Sequence, residues 1–274
     1  MALVSVVTAT YAGDDPHHLA EALDSVVAQT HRPLQLLVAA DGALSQEAER
    51  VVRARSSQHP WIELHRLAGP AGPAAARNAV LPSCRGEFVA ILDADDAMEP
   101  ERIAEQTDYL RRHPDVDLVA SWLAVTDDSG NTLETRRFPE AWQEVRARSA
   151  FFCPTANTGI LFRARLLPRF RYPTGLRVGE DYRLWVSLMR SGVRIANVPR
   201  PLTRYRTGPG YFARRRGYRY ALSDLVTKIT ALPLAPWWQA PAVLVVAGAT
   251  FLVRLLPASW FRSAYAVFEK VTRG

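Results

Sequence analysis

The sequence predicts an α/β fold with a mainly parallel sheet and helices on both faces. Short apolar runs bounded by turn residues are typical of buried strands, and segments with helical spacing lie between them. This alternation indicates βαβ units, which build parallel sheets. With 274 residues, 48% hydrophobic and 22% charged, the chain is long enough for one sizeable domain and an appendage.

The predicted elements follow one another in a regular order. Apolar residues at spacings of three and four between positions 19 and 27 predict a first helix. Further helices are expected near Pro100 and after Gly179. The runs that predict strands are residues 3–7, 35–38, 62–64, 88–92 and 118–123.

The net charge of +7 is concentrated near the C-terminus. From Arg200 onward twelve Lys or Arg residues face two acids, a balance of +10, so the preceding residues sum to −3. No nucleic-acid-binding motif accompanies these cations, so we expect no nucleic-acid partner. No signal-peptide pattern begins the sequence, and Cys84 and Cys153 lack metal-ligand spacing, which predicts reduced thiols in the cytoplasm.

Three carboxylates cluster where a predicted strand ends. Asp93, Asp95 and Asp96 follow the apolar run 88–92, and ligands of such sheets bind at the carboxyl ends of the strands. Like charges this close repel each other, which a divalent cation with oxygen ligands would relieve. The alternative is a solvated turn that leads into the next helix.

Two further segments lie at the same predicted edge of the sheet. Asp41 follows the second strand and could accept hydrogen bonds from a nucleobase or ribose, although Asp-Gly is also a common turn. The small-residue loop 69–76 leads to Arg77, which could stabilise phosphate charge. A flexible connection with a surface arginine would have the same sequence.

The acids Glu180 and Asp181 open a predicted helix whose packing face is Tyr182, Trp185 and Met189. A carboxylate held there could take a proton from an acceptor hydroxyl. Acids in a first helical turn also serve as ordinary partners of the helix dipole.

In this order, these elements resemble family 2 glycosyltransferases over residues 3–206. The matching segments are the first strand and loop at 7–11, the Ala-Ala-Arg-Asn element at 75–78, the DxD motif at 93–96, the Glu-Asp…Leu-Trp motif at 180–185 and the segment 201–206. The resemblance implies a GT-A, Rossmann-like fold. It implies a catalytic domain at 1–206, with a nucleotide-sugar-binding half up to about residue 120 and an acceptor half at 121–206.

The resemblance also implies an activity and roles for individual residues. The expected activity is metal-dependent inverting transfer of a sugar from a UDP-, GDP- or dTDP-sugar to a saccharide or lipid-linked acceptor, in the synthesis of a cell-surface polysaccharide or glycolipid. The implied donor-binding residues are Thr10, Tyr11, Asp41, Arg77, Asp93 and Asp95, with Asp95 holding Mg²⁺ or Mn²⁺. The implied catalytic base is Asp181, assisted by Glu180, and the expected acceptor region includes Thr155, Asn157 and Trp185.

Residues 207–274 are predicted to form a basic, apolar helical region that associates with a membrane. No charged residue occurs from 229 to 253, but three prolines interrupt the first half, so an interfacial or re-entrant segment is favoured over a span. Trp237, Trp238, Trp260 and Phe261 resemble interfacial aromatics, and the arginines at 214–216 and 219 could bind anionic lipid. The alternatives are a hairpin that completes the fold or a homodimer interface.

Other functions fit the sequence less well. A sugar nucleotidylyltransferase would need a Gly-rich, basic signature directly after the first strand, and the sequence has none there. A non-catalytic nucleotide-sugar sensor or scaffold would have the same fold, but all the expected acids are present. We therefore expect an enzyme at the inner face of the cell membrane.

Overall fold

A computed structural model describes residues 2–32, 34–175, 179–208, 211, 215–257 and 260–261. Within these residues, nine strands form one sheet in the order β3-β2-β1-β4-β8-β6-β9-β5, with β7 paired to β6. The strands are β1 Val4–Thr10, β2 Leu34–Ala40, β3 Ile62–Arg66, β4 Phe88–Asp93, β5 Ala97–Met98, β6 Leu118–Thr126, β7 Thr132–Arg136, β8 Leu161–Arg163 and β9 Ile195–Arg206.

The sheet is parallel in its first half and mixed in its second. The strands β3, β2, β1 and β4 pair in parallel, as the alternation of strands and helices predicts. Beyond β4, the short strand β8 pairs antiparallel with both β4 and β6. The strands β6 and β9 pair in parallel along the whole length of β6. The strands predicted in the first half are all present, and several extend two or three residues further toward their carboxyl ends.

Helices cover both faces of the sheet. Side chains alternate along β4, so that Phe88, Ala90 and Leu92 belong to one buried cluster and Val89 and Ile91 to the other. The helices are α1 Pro16–Val27, α2 Gln46–Gln58, α3 Pro73–Val80, α4 Arg102–Arg112, α5 Trp142–Arg148, α6 Glu180–Arg190, α7 Tyr218–Ala231 and α8 Ala240–Leu255. Short 3₁₀ turns occur at Leu81–Ser83, Asn157–Gly159, Ala164–Leu166, Leu232–Leu234 and Trp237–Gln239.

The helices α7 and α8 form a hairpin that packs against the rest of the fold through α6. Inside the hairpin, Asp224 on α7 forms an ion pair with Lys228 and accepts a 3.1 Å hydrogen bond from Thr250 on α8. Arg254 on α8 lies 3.5 Å from the same carboxylate. This buried network ties the two helices together, so α7 and α8 form one packed layer of the described fold.

The outer face of the hairpin is apolar. The segment Trp237–Leu255 is long and apolar enough to cross a bilayer by length and composition, and only 17% of it is buried. Trp237, Trp238 and Trp260 are exposed, whereas Phe261 is fully buried. The prediction of Phe261 as an interfacial aromatic is therefore wrong. Arg214, predicted as a lipid contact, lies outside the described residues.

Candidate active site

Parallel pairing brings the predicted donor-binding residues to one edge of the sheet. Thr10 ends β1, Asp41 follows β2 and Asp93 ends β4. Because β1 lies between β2 and β4, all three residues meet at the carboxyl ends of adjacent strands. The Asp41 amide donates a hydrogen bond to the Thr10 carbonyl at 2.8 Å, which holds the ends of β1 and β2 side by side.

The Asp93 carboxylate is held by two side chains. Its Oδ1 accepts hydrogen bonds from Arg77 Nη2 at 2.6 Å and from Asn157 Nδ2 at 2.9 Å. The Tyr172 hydroxyl donates to Asn157 Oδ1 at 2.6 Å and so fixes the direction of that amide. Thr158 Oγ1 accepts from the Asp93 amide at 3.2 Å. Asp93 is therefore oriented before any ligand arrives.

Arg77 is buried, with only 8% of its side chain exposed, and its charge faces Asp93. The guanidinium also lies 5.4 Å from the centre of the Tyr172 ring. Burial disfavours its charged form, but the neighbouring Asp93 carboxylate outweighs burial and raises the pKa of Arg77. Arg77 thus positions Asp93, and its contact with a donor phosphate stays a prediction.

A surplus of negative charge surrounds the loop after β4. Asp95 is exposed, and Asp96 is buried with its Oδ1 accepting from the Arg206 amide at 2.9 Å. Burial, and then repulsion by Asp95 and Asp93, raises the pKa of Asp96 well above its ordinary value. The same causes raise the pKa of Asp14, in the loop after β1, to about 6. Asp14 was not predicted as a site residue. The one feature of the sequence that could have indicated it is its position in the loop after β1.

These carboxylates fit a divalent cation that is shared with a ligand. Within the described residues, no group of three or more His, Cys, Asp or Glu side chains could hold a metal ion alone. Mg²⁺ commonly binds through one or two carboxylates, with waters and substrate phosphates completing its coordination. The exposed carboxylate of Asp95, next to like charges, suits that arrangement.

Asp41 anchors the loop that precedes α3. Its Oδ1 accepts from the Ala71 amide at 2.6 Å, and its Oδ2 accepts from the Gly72 amide at 2.9 Å. Gly42, with φ +83°, lets the chain turn directly beneath Pro70. This loop is therefore tied to the end of β2 and is not a flexible connection. Tyr11 lies half exposed at the rim of the same edge.

Glu180 and Asp181 begin α6, close enough to Arg77 and Asp93 for their charges to interact. Asp181 Oδ1 accepts a hydrogen bond from the Tyr182 amide at 2.7 Å. Burial raises the pKa of Asp181, and the nearby Arg215 guanidinium counteracts part of that rise. Burial and the charge of Asp181 also raise the pKa of Glu180. A carboxylate with a raised pKa is suited to accept a proton near neutral pH.

A cavity of about 200 Å³ joins these elements. Asp93 and Asp181 both line it, together with the predicted acceptor residues Thr155 and Asn157. Trp185 does not line it, because its indole is fully buried and packs against Phe170 with ring centres 5.9 Å apart. Trp185 thus belongs to the core, as its place on the packing face of α6 indicates, and not to the acceptor region.

Several cavity residues come from segments that the sequence analysis did not connect with the site. Residues on α7 and α8 form one wall of the cavity, which agrees with the alternative that this region is a hairpin completing the fold. The residues without any prediction include Arg136, Tyr211, Tyr220 and Lys228. Tyr205, from the matched segment 201–206, and Arg215, predicted as a lipid contact, also line the cavity. The cavity residues come together because the hairpin docks on the fold and because β6 pairs with both β7 and β9.

Known proteins share this fold and sequence pattern. A family model described as "Glycosyltransferase like family 2" matches residues 2–217. An uncharacterized glycosyltransferase of Methanocaldococcus jannaschii is 28% identical over 206 residues, which is 74% of this chain and 70% of the relative. The UDP-Gal:alpha-D-GlcNAc-diphosphoundecaprenol beta-1,3-galactosyltransferase of Escherichia coli is 25% identical over 224 residues, 81% of this chain and 80% of the relative.

A solved structure has the same architecture. The mannosyltransferase of Pyrobaculum calidifontis, in complex with GDP-Man and Mn²⁺, superposes with a TM-score of 0.63 at 21% identity. The match covers 98% of this chain and 80% of that one. The fold and the site together define a glycosyltransferase with a GT-A fold. The chain belongs to glycosyltransferase family 2.

Proposed function

We propose that this protein is an inverting glycosyltransferase that moves a sugar from a nucleoside diphosphate to the hydroxyl of a saccharide or lipid-linked acceptor. One observation carries the proposal: Asp93, at the donor edge of the sheet, and Asp181, at the start of α6, line the same cavity. A donor bound at the strand ends therefore meets an acceptor that enters between α6 and the hairpin.

The donor site is assigned to the carboxyl ends of β1, β2 and β4. Thr10, Tyr11 and Asp41 lie where a nucleoside would bind, and Asp93 is oriented to accept from a ribose hydroxyl. The E. coli relative is named for UDP-Gal, and the P. calidifontis complex contains GDP-Man. We therefore propose a UDP-, GDP- or dTDP-sugar as the donor.

Asp95 is the proposed ligand of Mg²⁺ or Mn²⁺, supported by the surplus of carboxylates around it and by Mn²⁺ in the P. calidifontis complex. When bound, such an ion acts as a Lewis acid that stabilises charge on a diphosphate leaving group. The exposure of Asp95 gives a donor's phosphates access to the same ion.

Asp181 is the proposed general base. It takes the proton of the acceptor hydroxyl as that oxygen bonds to the anomeric carbon and the bond to the diphosphate breaks. One displacement from the face opposite the leaving group inverts the configuration. Thr155 is the proposed acceptor contact, because its buried hydroxyl lines the cavity and has no hydrogen-bond partner among the described residues.

We also propose that the α7–α8 hairpin rests on the inner face of a membrane. Leu222, Val226 and Ile229 form an exposed apolar stripe on α7, and Trp237 and Trp238 are exposed before α8. Exposed tryptophans beside apolar helices are typical of the membrane interface. Leu244, Val245 and Leu252 are exposed on α8. Sedimentation of the full chain with anionic vesicles, lost in the triple variant Leu244→Gln, Val245→Asn, Leu252→Gln, would support this. Dimerisation without vesicle binding would contradict it.

The release of nucleoside diphosphate tests the activity. Wild-type protein is incubated with a panel of UDP-, GDP- and dTDP-sugars in Mn²⁺, Mg²⁺ or EDTA. Slow metal-dependent hydrolysis of one donor is the expected result. Binding of a donor without release, even with acceptors present, would instead identify a non-catalytic nucleotide-sugar sensor.

A further inference from the structure

A two-point contact joins the end of α8 to the segment that precedes α7. Arg254, in the last turn of α8, donates from Nη1 to the Arg215 carbonyl at 2.6 Å. The Arg254 carbonyl in turn accepts from the Gly217 amide at 2.8 Å. The side chain and the backbone of one residue thus hold both ends of the segment 215–217. The position of α8 therefore determines where this segment lies.

The side chain of Arg215 connects this segment to the proposed catalytic base. Arg215 and Asp181 line the same cavity. Burial raises the pKa of Asp181, and the positive charge of Arg215 is among the effects that lower it. The Arg215 guanidinium is held from a second side, because its Nη2 donates to the Tyr205 hydroxyl at 2.9 Å and it lies 4.0 Å from the centre of the Tyr211 ring. Its backbone is thus fixed by α8 and its side chain by two tyrosines.

Other charged groups also act on Asp181. They include Glu180 beside it on α6, the Asp93 carboxylate at the end of β4 and the Arg77 guanidinium on α3. Asp93 and Arg77 form their own ion pair at 2.6 Å, so their effects on Asp181 oppose each other. Glu180 adds a like charge. Arg215 is the cation that reaches Asp181 from the side of the hairpin.

The simplest alternative is that Arg254 serves only as a counter-ion of Asp224. Its Nε lies 3.5 Å from that carboxylate, which is longer than a good hydrogen bond. Asp224 also has an ion pair with Lys228 and a 3.1 Å hydrogen bond from Thr250. The shorter, charge-assisted contact of Arg254 is the one with the Arg215 carbonyl at 2.6 Å. The Arg254 guanidinium therefore joins two groups, and Asp224 is the more distant of them.

We infer that Arg254 is a positioning residue for the transfer reaction and that it acts on Asp181 through Arg215. Arg254 holds the segment 215–217 where the Arg215 guanidinium stays beside the carboxylate. A nearby cation favours the ionised carboxyl, which is the form that accepts a proton. This inference rests on the proposed role of Asp181 as the general base.

The inference gives α8 a part in the chemistry. Leu252 and Leu255, on either side of Arg254 in the sequence, are exposed. One turn of the helix thus combines the apolar outer face with the buried arginine that holds the segment 215–217. A displacement of α8 would move Arg215 away from the base, while the donor edge of the sheet stayed in place.

Carboxyl-carbon NMR of the full chain with labelled aspartate, in EDTA, tests the inference without turnover. The signal of Asp181 is assigned by its loss in Asp181→Asn, and the pKa of this carboxyl is then measured in each variant. Arg254→Gln should raise the pKa of Asp181, in the same direction as Arg215→Gln and by no larger amount. The double variant should show the same rise as Arg215→Gln alone, because two residues that act in series are not additive.

Two further variants separate this role from a structural one. Arg254→Lys keeps a cation beside Asp224, so the hairpin should stay docked, but an ammonium lacks the fork that also reaches the Arg215 carbonyl. It should raise the pKa of Asp181 as well, which keeps the test decisive if Arg254→Gln does not fold. The matched control is Thr250→Val, which removes a hydrogen bond to Asp224 and leaves the contact between Arg254 and Arg215 in place. It should lower the thermal stability without changing the titration of Asp181.

Three outcomes would overturn the inference. An unchanged titration of Asp181 in the Arg254 variants would show that α8 does not position Arg215. A rise in the double variant beyond that of Arg215→Gln would show that Arg254 acts on Asp181 directly. An equal rise in Thr250→Val would indicate a general loosening of the hairpin. A failure of the proposed function is distinct from these, since Asp181 would then titrate as expected while Asp181→Asn kept its turnover.

Discussion

The Arg77 guanidinium lies 2.6 Å from the Asp93 carboxylate in a mostly buried ion pair at the end of β4. Loss of one partner leaves the other charge desolvated and unpaired, which costs more than the pair itself contributes. Arg77→Met should therefore lower the free energy of unfolding by about 3 kcal/mol and weaken donor binding. Thermal unfolding and nucleotide titration measure the two effects.

The control for this pair is Arg53→Met. Arg53 pairs with Glu49 at the same distance of 2.6 Å, but its side chain is 73% exposed. An exposed pair contributes about 0 to 1 kcal/mol. Equal losses of stability in the two variants would show that burial of the Arg77 pair has no energetic consequence.

Asp181→Asn should reduce turnover roughly 10²- to 10⁴-fold, because general-base assistance contributes about that much. Asparagine keeps the shape of the side chain and an oxygen that can accept from the Tyr182 amide, so donor affinity should stay nearly constant. Steady-state kinetics measures the loss of turnover, and equilibrium titration with the donor measures its affinity. Near wild-type turnover in this variant, with loss in Glu180→Gln instead, would transfer the base role to Glu180.

The pH dependence of the reaction should reflect the environment of Asp181. Burial raises the pKa of this carboxyl, and Arg215 lowers it. Since a base must be deprotonated to act, kcat/KM should fall as the pH drops through a pKa above the ordinary aspartate range. Arg215→Gln removes the opposing charge, so it should move this acidic limb to higher pH. Donor hydrolysis measured from pH 4 to 9 checks the shift, and a limb that stays in place would contradict it.

Part of this site follows from the sequence because the relevant side chains sit at element ends. Asp93 ends a buried strand and Asp181 opens a helix, so topology alone brings them to the sheet edge. Trp185 belongs to a motif that suggested a site residue, but its spacing of three from Tyr182 places it on the buried face of α6. Arg136 was not predicted and Arg215 was predicted as a lipid contact, because the two meet at the Tyr211 ring only through tertiary packing.

Asp14 should make the protein less stable as the pH rises. Its pKa is about 6 in the folded protein because of burial and the charges of Asp95 and Asp93, against an ordinary value of 3.8. The folded state therefore binds more protons between pH 4 and 6, and stability falls across that interval. In EDTA at pH 7, Asp14→Asn should be more stable than wild type by about 1 to 2 kcal/mol. The difference should vanish below pH 4, and a gain that persists there would contradict the electrostatic origin.

The buried network around Asp224 should determine whether the hairpin stays docked. Burial disfavours the ionised carboxyl, but Lys228 and Arg254 outweigh burial and hold the pKa of Asp224 below its ordinary value. Asp224→Ala leaves both cations inside the protein without this counter-charge. Such a loss costs about 3 to 5 kcal/mol, and hydrogen exchange should become faster along α7 and α8 first.

Asp108→Ala is the matched control for Asp224→Ala. Asp108 pairs with Arg112 at the same i,i+4 spacing on α4, but both side chains are largely exposed, so its loss should cost less than about 1 kcal/mol. If the two alanine variants were equally stable, the Asp224 network would not hold the hairpin. Faster exchange in α7 and α8, with β1 and β4 still protected, would show that the hairpin opens separately from the donor site. Asp224→Ala would then weaken acceptor binding while nucleotide binding stayed unchanged.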